Sequence, residues 1–88
     1  MHIVKGFFIR EVLDEIIAVP TSEVLQKFSG IIGMNPVGKF LFEKLVTEQS
    51  LQSLVAALME EYEVDETVAT EDVQEFLEKL RQHDLLEE

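Results

Sequence analysis

Residues Phe7 to Pro20 read FFIREVLDEIIAVP, and this stretch decides the fold class. Aromatic and β-branched residues nearly alternate with polar ones from Phe7 to Leu13, which is typical of a half-buried strand. Asp14-Glu15 separates this strand from a second one, Ile16–Val19, which Pro20 closes because proline cannot donate to a ladder. The stretch therefore predicts an antiparallel hairpin. Its turn lacks the glycine that two-residue loops favour, so we expect the loop to borrow a residue from each strand.

A third short apolar segment, Phe28 to Met34, reads FSGIIGM and follows a connection from Pro20 to Lys27. It contains Gly30 and Gly33. Glycines inside a strand mark a bulge or a close approach of another backbone, because they weaken packing without adding a side chain. We therefore predict that this third strand lies at an edge of the sheet.

Three helices are predicted after the strands, each from its N-terminal signal. Asn35-Pro36 begins the first, which continues to about Thr47, since Asn caps well and Pro loses no bond at the first helical position. Ser50 caps the second, and Asp65 caps the third, which ends near Asp84. Apolar residues recur at helical spacing in each. These stripes are Val37, Phe40, Leu41, Leu45 and Val46, widened by Phe42; Leu51, Leu54, Val55, Leu58, Met59 and Tyr62; and Ala69, Val73, Phe76, Leu77 and Leu80. Leu85-Leu86 is expected to fold back onto the core.

Length indicates one domain over residues 1–88, and the predicted elements make it α+β, a three-stranded antiparallel sheet followed by a three-helix bundle. The 88 residues are 47% hydrophobic and 28% charged, as in ordinary globular proteins. No apolar run approaches the roughly 20 residues of a membrane helix, and no secretory signal precedes the first strand. With no cysteine in the sequence, disulfides and thiolate chemistry are excluded. We expect a cytoplasmic protein without a membrane partner.

The net charge restricts the partners. Seven Lys and Arg stand against eighteen Asp and Glu, a formal net charge of −11. Nucleic-acid affinity comes largely from cationic side chains that displace counterions, so the sequence argues against a nucleic-acid partner. Partners should be neutral or basic.

No constellation of residues predicts catalysis, a metal or a cofactor. His2 and His83 lie at opposite ends of the sequence, and neither has the i, i+4 partner of a helical metal face. The simplest interpretation makes His2 a disordered terminal residue and His83 a polar residue at a helix end. There is no nucleophile elbow and no phosphate-binding glycine loop. The abundant carboxylates are most simply a solvated face, so we expect a protein that is not an enzyme.

One flank of the third helix is a candidate binding surface. Val68 lies one position off the apolar stripe, on the side that holds Asp72, Glu75 and Lys79. A groove between a helix and an open sheet edge accepts an extended peptide as an added strand. The alternative is an inert edge covered by the connection from Pro20 to Lys27.

Three segments of the chain match a known family pattern. The first reads GFFIREV from Gly6 to Val12, and the second reads FSGIIGMNPVG from Phe28 to Gly38. The third reads DVQEFL from Asp72 to Leu77 and is followed by Leu80 and the terminal Leu85-Leu86. In their order and spacing these segments make almost the whole chain resemble the PqqD family, the pyrroloquinoline quinone synthesis protein D and its relatives called RiPP recognition elements.

The resemblance implies a winged-helix-like domain that acts as a peptide chaperone. Family members bind the leader segment of a ribosomally made precursor peptide and present it to a modifying enzyme, often a radical S-adenosylmethionine (SAM) enzyme. The leader adds a strand to the third strand and lies against the third helix. The peptide-binding residues this implies here are Phe28, Ser29, Gly30, Ile31, Ile32, Val68, Glu71, Asp72, Glu75, Phe76 and Lys79. The acidic residues among them, with Glu78, predict basic positions in the leader.

The chain departs from the family pattern at three places. Asp84 stands where the family usually has glycine, Pro36 stands where it often has a polar residue, and the first hairpin lacks its usual glycine. These departures leave open whether the pathway is quinone synthesis or another modified-peptide pathway, which we favour. Two other functions are kept as alternatives: a winged-helix DNA-binding domain, which the charge opposes, and a dimerisation or scaffold domain that uses the open edge. Either a monomer or a homodimer fits the sequence.

Overall fold

The computed structural model describes residues 1–21 and 32–88. It places five strands and three helices in them. In chain order they are β1 (His2–Ile3), β2 (Phe7–Val12), β3 (Glu15–Pro20), β4 (Ile32–Met34), α1 (Pro36–Lys44), α2 (Leu51–Tyr62), α3 (Glu66–Gln82) and β5 (Leu86–Glu87). The chain divides into two compact units, Val4–Phe40 and Met1–Ile3 with Leu41–Glu88, and each unit is described by itself.

The unit Val4–Phe40 is built on an antiparallel sheet with strand order β2-β3-β4. Ala18 is the centre of its register, since it pairs with Ile9 on β2 and with Ile32 on β4. Ala18 is fully buried and Ile32 is 8% exposed, so one face of the sheet is apolar and buried. The prediction of an α+β chain with a three-stranded antiparallel sheet followed by three helices is confirmed.

The hairpin turn lies one residue earlier than the sequence analysis placed it. Val12 pairs with Glu15, so the two loop residues are Leu13 and Asp14, and Glu15 belongs to β3. Pro20 is the last residue of β3 and pairs with Phe7, rather than lying beyond the strand. A strand end tolerates proline because no further ladder bond is needed there. Leu13 has a φ of 58°, a value that two-residue turns require and that glycine adopts without cost.

We predict that Leu13→Gly raises the free energy of unfolding by about 0.5–1 kcal/mol, because a side chain at positive φ costs about 1–2 kcal/mol and glycine avoids it. Leu13 is 98% exposed, so its removal loses almost no burial. Chemical denaturation measures the change. Asp14→Gly is the matched control, since Asp14 is not among the positive-φ residues. A control as stabilised as Leu13→Gly would contradict the explanation.

The caps of α2 and α3 are those predicted. The Ser50 side chain accepts from the Ser53 N–H at 3.0 Å, and the Ser53 hydroxyl in turn accepts from the Ser50 N–H at 2.9 Å. Asp65 accepts from the Val68 N–H at 2.8 Å. Asn35, predicted to begin α1, accepts from the Gly38 N–H at 2.8 Å. These bonds satisfy first-turn donors that the helices cannot satisfy internally.

The unit Met1–Ile3 with Leu41–Glu88 has its core along α3. All five residues of the predicted α3 stripe are buried. They are joined in the core of this unit by Ile3, Leu41, Phe42, Leu45, Leu54, Leu58 and Leu85. Tyr62, predicted to lie on the α2 stripe, is 40% exposed. The spacing of apolar residues therefore predicted every buried residue of the α3 stripe. For α2 it predicted one residue too many, Tyr62.

The C-terminus of α3 forms a Schellman-type end. The Leu85 N–H donates to the Leu80 carbonyl at 2.9 Å, and the Asp84 N–H donates to the Arg81 carbonyl at 3.1 Å. Asp84 has a φ of 56°, at the position where this motif usually has glycine. Leu85 is buried, as its predicted return to the core requires.

Two terminal strands were not predicted. β1 pairs with β5 through His2–Glu87 and Ile3–Leu86. The expectation that His2 is disordered is wrong, because its Nε2 lies 2.6 Å from Glu87 and its Nδ1 lies 3.3 Å from Glu48. The Met1 amino group also bonds Glu48, and this bond, with the His2 bond, lowers the pKa of that carboxyl below its ordinary value.

α1 ends at Lys44, three residues before the predicted end at Thr47. The Val46 and Thr47 N–H groups donate to carbonyls three residues back, as in a tighter turn that closes a helix. Val46, predicted to lie on the apolar stripe, is 71% exposed, whereas Leu45 is fully buried. The buried apolar stripe that begins in α1 therefore ends at Leu45.

We predict opposite outcomes for these neighbouring residues. Leu45→Ala should lower the free energy of unfolding by about 2–5 kcal/mol, because it leaves a cavity in the core. Val46→Ala should change it by less than about 0.5 kcal/mol, as exposed positions do. Urea denaturation of both variants measures the difference. Equal losses would place Val46 in the core and contradict the structure.

Candidate functional site

The predicted peptide-binding residues fall into a strand set and a helix set. Of the strand set, Phe28, Ser29, Gly30 and Ile31 lie outside the described residues, and Ile32 begins β4. The helix set, from Val68 to Lys79, lies on α3. The two sets belong to different units of the chain. The geometry of each set is therefore given separately.

β4 occupies one edge of the sheet that the described residues form, as predicted for the third strand. Ile32 points its side chain to the buried face. Gly33 is exposed, and a Cβ atom built on it would meet no atom of the described residues within 4 Å. Among these residues, none restricts position 33 to glycine for lack of space.

The helix set occupies one flank of α3. Its members recur at i, i+3, i+4, i+7, i+8 and i+11 from Val68, a spacing that places them on one side of a helix. Val68 is 41% exposed, and the glutamates at 71 and 75 are exposed. Asp72 and Lys79 are half-buried beside the core stripe. Phe76 is only 8% exposed, so its ring serves mainly the core and offers little surface to a ligand.

Charge is divided unequally between the two units. Met1–Ile3 with Leu41–Glu88 contains fourteen Asp and Glu against three Lys and Arg, whereas Val4–Phe40 contains four of each. The unit that contains α3 therefore has the entire net charge of −11. A cationic ligand would be attracted to this unit, and the attraction would weaken as salt is added.

The sequence match decides the family. The model of the family described as Coenzyme PQQ synthesis protein D (PqqD) matches residues 11–86. The chain belongs to the PqqD family. The resemblance drawn from three sequence segments is thereby confirmed.

A solved structure shares the fold of this chain. The structure of TbiB1 in complex with the TbiA(beta) leader peptide matches 99% of this chain and 95% of that chain, with a TM-score of 0.74 and 24% sequence identity. At this identity the likeness establishes a shared fold. The comparison with curated proteins found no match.

The hairpin turn and Asp84, the two departures at which the resemblance implied glycine, both include a positive φ here. Leu13 in the hairpin turn has a φ of 58°, and Asp84 after α3 has a φ of 56°. The backbone thus keeps the conformation that glycine favours while the side chains differ. Pro36, the third departure, is the first residue of α1, where its missing N–H is not needed.

Sequence reasoning missed a cleft on the other flank of α3. It has a volume of about 250 Å³ and lies between α2 and α3. Its lining is mostly apolar: Leu51, Gln52, Val55, Ala56, Met59, Glu66 and Thr70. Leu51, Val55 and Met59 recur at i, i+4 and i+8, which the sequence analysis assigned wholly to the core.

Residues 1–21 and 32–88 contain no cluster of three or more His, Asp or Glu side chains that could hold a metal ion. Among the helices of the described residues, none is long and apolar enough to cross a membrane.

Proposed function

We propose that this protein is a non-catalytic chaperone that binds the leader segment of a ribosomally synthesised precursor peptide and presents it to a modifying enzyme. The observation that carries the proposal is membership of the PqqD family over residues 11–86, combined with the position of β4 at an edge of the sheet that the described residues form. The fold shared with TbiB1, whose structure includes a leader peptide, supports it.

Strand addition is the proposed mode of leader binding. An edge strand presents backbone donors and acceptors along one side, and an extended peptide gains main-chain hydrogen bonds by pairing with them. We assign this role to the third strand, which comprises β4 and the predicted residues Phe28 to Ile31. Main-chain hydrogen bonds contribute affinity whatever side chains the leader has. Selection among leaders must therefore come from contacts with their side chains.

Selection is assigned to the flank of α3. Val68 offers an exposed apolar contact, while Glu71, Asp72 and Glu75 offer negative charge beside it. We therefore propose a leader with an apolar residue and nearby basic residues. The same charge argues against the alternative of a winged-helix DNA-binding domain, because phosphate backbones would be repelled.

The modifying enzyme is the second proposed partner, and a radical SAM enzyme is the candidate. In this arrangement the enzyme supplies the chemistry and its cofactors, and the PqqD-family chain supplies only binding and orientation. The pathway we propose is one of peptide modification, which can be quinone synthesis or another route.

The first test is a titration of the isotope-labelled protein with the synthetic leader of the precursor encoded beside it. We expect amide chemical shifts to change at Ile32, Gly33 and Asp72, because strand addition alters hydrogen bonding along β4 and the α3 flank lies in the proposed site. A scrambled leader is the control. Binding without changes in β4 would contradict strand addition, and absence of binding would contradict the function.

The second test reverses the charge of Asp72. We predict that Asp72→Lys weakens leader binding about three- to tenfold, since exposed or half-exposed charge contacts contribute up to about 1 kcal/mol each and reversal turns attraction into repulsion. Calorimetry measures the affinity. Glu60→Lys on α2 makes the same change in net charge and is the matched control. Equal effects of both variants would mean that only the overall field matters and that Asp72 is not a contact.

A further inference from the structure

The outer face of the β2-β3 hairpin is unusually apolar for a solvated surface. Strand alternation and the observed register place six side chains there. In cross-strand pairs these are Phe8 with Val19, Arg10 with Ile17, and Val12 with Glu15. The opposite face includes the buried Ala18 and Pro20. An antiparallel sheet with one buried face normally presents polar side chains on the other, and here four of the six are apolar.

These apolar side chains are accessible. Phe8 is 38% exposed and Val12 is 51% exposed, while Ile17 and Val19 are half-buried. Leu13 extends the surface to the hairpin tip, where it is 98% exposed at a φ of 58°. A leucine at this position costs conformational strain and gains no burial within the chain. Contiguous apolar surface of this kind marks an interaction site in soluble proteins.

The charges on this face are self-complementary. Arg10 lies over the Phe8 ring, 5.2 Å from its centroid, and Glu15 is exposed on the neighbouring strand. A two-fold interface brings the same patch of both copies together, so a patch with one cation and one anion can pair each with its opposite in the partner. In a two-fold interface at this face, Arg10 of each copy would face Glu15 of the other.

The charge distribution favours this face for self-association over the rest of the chain. The unit Val4–Phe40 contains four acidic and four basic residues, whereas the other unit has the full net charge of −11. Two copies that met through the acidic unit would repel each other. The hairpin has Arg10 against Glu11, Asp14 and Glu15, so contact through it brings together much less like charge than contact through the acidic unit.

We infer that the outer face of the β2-β3 hairpin is a self-association surface through which two copies of this chain form a weak symmetric dimer. The hairpin has two strands of six residues each, so the contact covers on the order of 200 Å² per copy before side chains at its rim are added. Stable interfaces bury about 800 Å² per partner. The expected dissociation constant is accordingly about 0.1–1 mM.

Sedimentation of the wild-type chain from about 10 μM to about 1 mM is the first measurement, with a rise in mass over that range expected. Val12→Lys should abolish the rise because it buries an unpaired charge. Val46→Lys is the matched control, since Val46 is also an exposed valine but lies in the acidic unit. A chain that stays monomeric at the highest concentration, or two variants that behave alike, would overturn the inference.

A charge swap tests the symmetry itself. Arg10→Glu and Glu15→Arg should each weaken association at least about fivefold, because each variant places like charges opposite one another twice. An equimolar mixture of the two should associate about as well as wild type, since every pair across the mixed interface is again of opposite sign. Chemical-shift dispersion checks that both variants are folded.

The competing occupant is the modifying enzyme. If Val12→Lys removes binding to that enzyme while the wild-type chain shows no concentration-dependent mass, the face belongs to the enzyme and the dimer is refuted. A mixture no heavier than either variant alone would also refute it. None of these results depends on leader binding, so the dimer and the proposed function stand or fall separately.

Discussion

The pairing of Val12 with Glu15 across a two-residue turn sets the register on which the three-stranded sheet depends. Because side chains alternate along a strand, a slip of one residue would exchange the two faces of the sheet. In the observed register Ala18 and Ile32 point to the buried face, and Phe8, Arg10 and Val12 point outward. This register places Leu13 at a positive φ. The turn therefore has the backbone conformation that glycine favours, although its residue is leucine.

The unit Met1–Ile3 with Leu41–Glu88 is stabilised by the buried apolar stripe of α3 rather than by strand register. α3 buries one stripe completely, which leaves its two flanks for other uses. One flank contains the predicted leader contacts and the other lines the cleft with α2. Since this unit has all of the net negative charge, cationic ligands are directed to it and like-charged copies are kept from it. In the two proposals, selectivity for a leader and avoidance of self-contact both rest on this one uneven distribution of charge.

The sequence predicted most reliably what local rules determine. The cap of α3 at Asp65 and its five buried apolar residues follow from chemistry within a few residues, and both were predicted correctly. The hairpin was predicted as an element but misplaced at its turn, because no glycine marks Leu13. The apolar spacing ran through Val46 although the helix closes at Lys44. β1 and β5 are too short to show any period, and His2 meets Glu87 only through the fold. Of the candidate site, the sequence predicted the edge position of the third strand and placed Val68 beside the apolar stripe of α3, while the exposed fraction of Val68 required coordinates.

The two proposed surfaces of the sheet are related through β4. Gly33 lies on the outer face, directly across from Ile17 of the hairpin. A leader added to β4 as a fourth strand would widen that outer face by about 5 Å, the spacing between strands. A wider face gives a second copy more to contact, so leader binding and self-association would strengthen each other. By linkage the coupling must be reciprocal, and a dimer would bind leader more tightly than a monomer by the same factor. Because the hairpin contact is small, a modest gain in area would be enough to shift the balance between one copy and two.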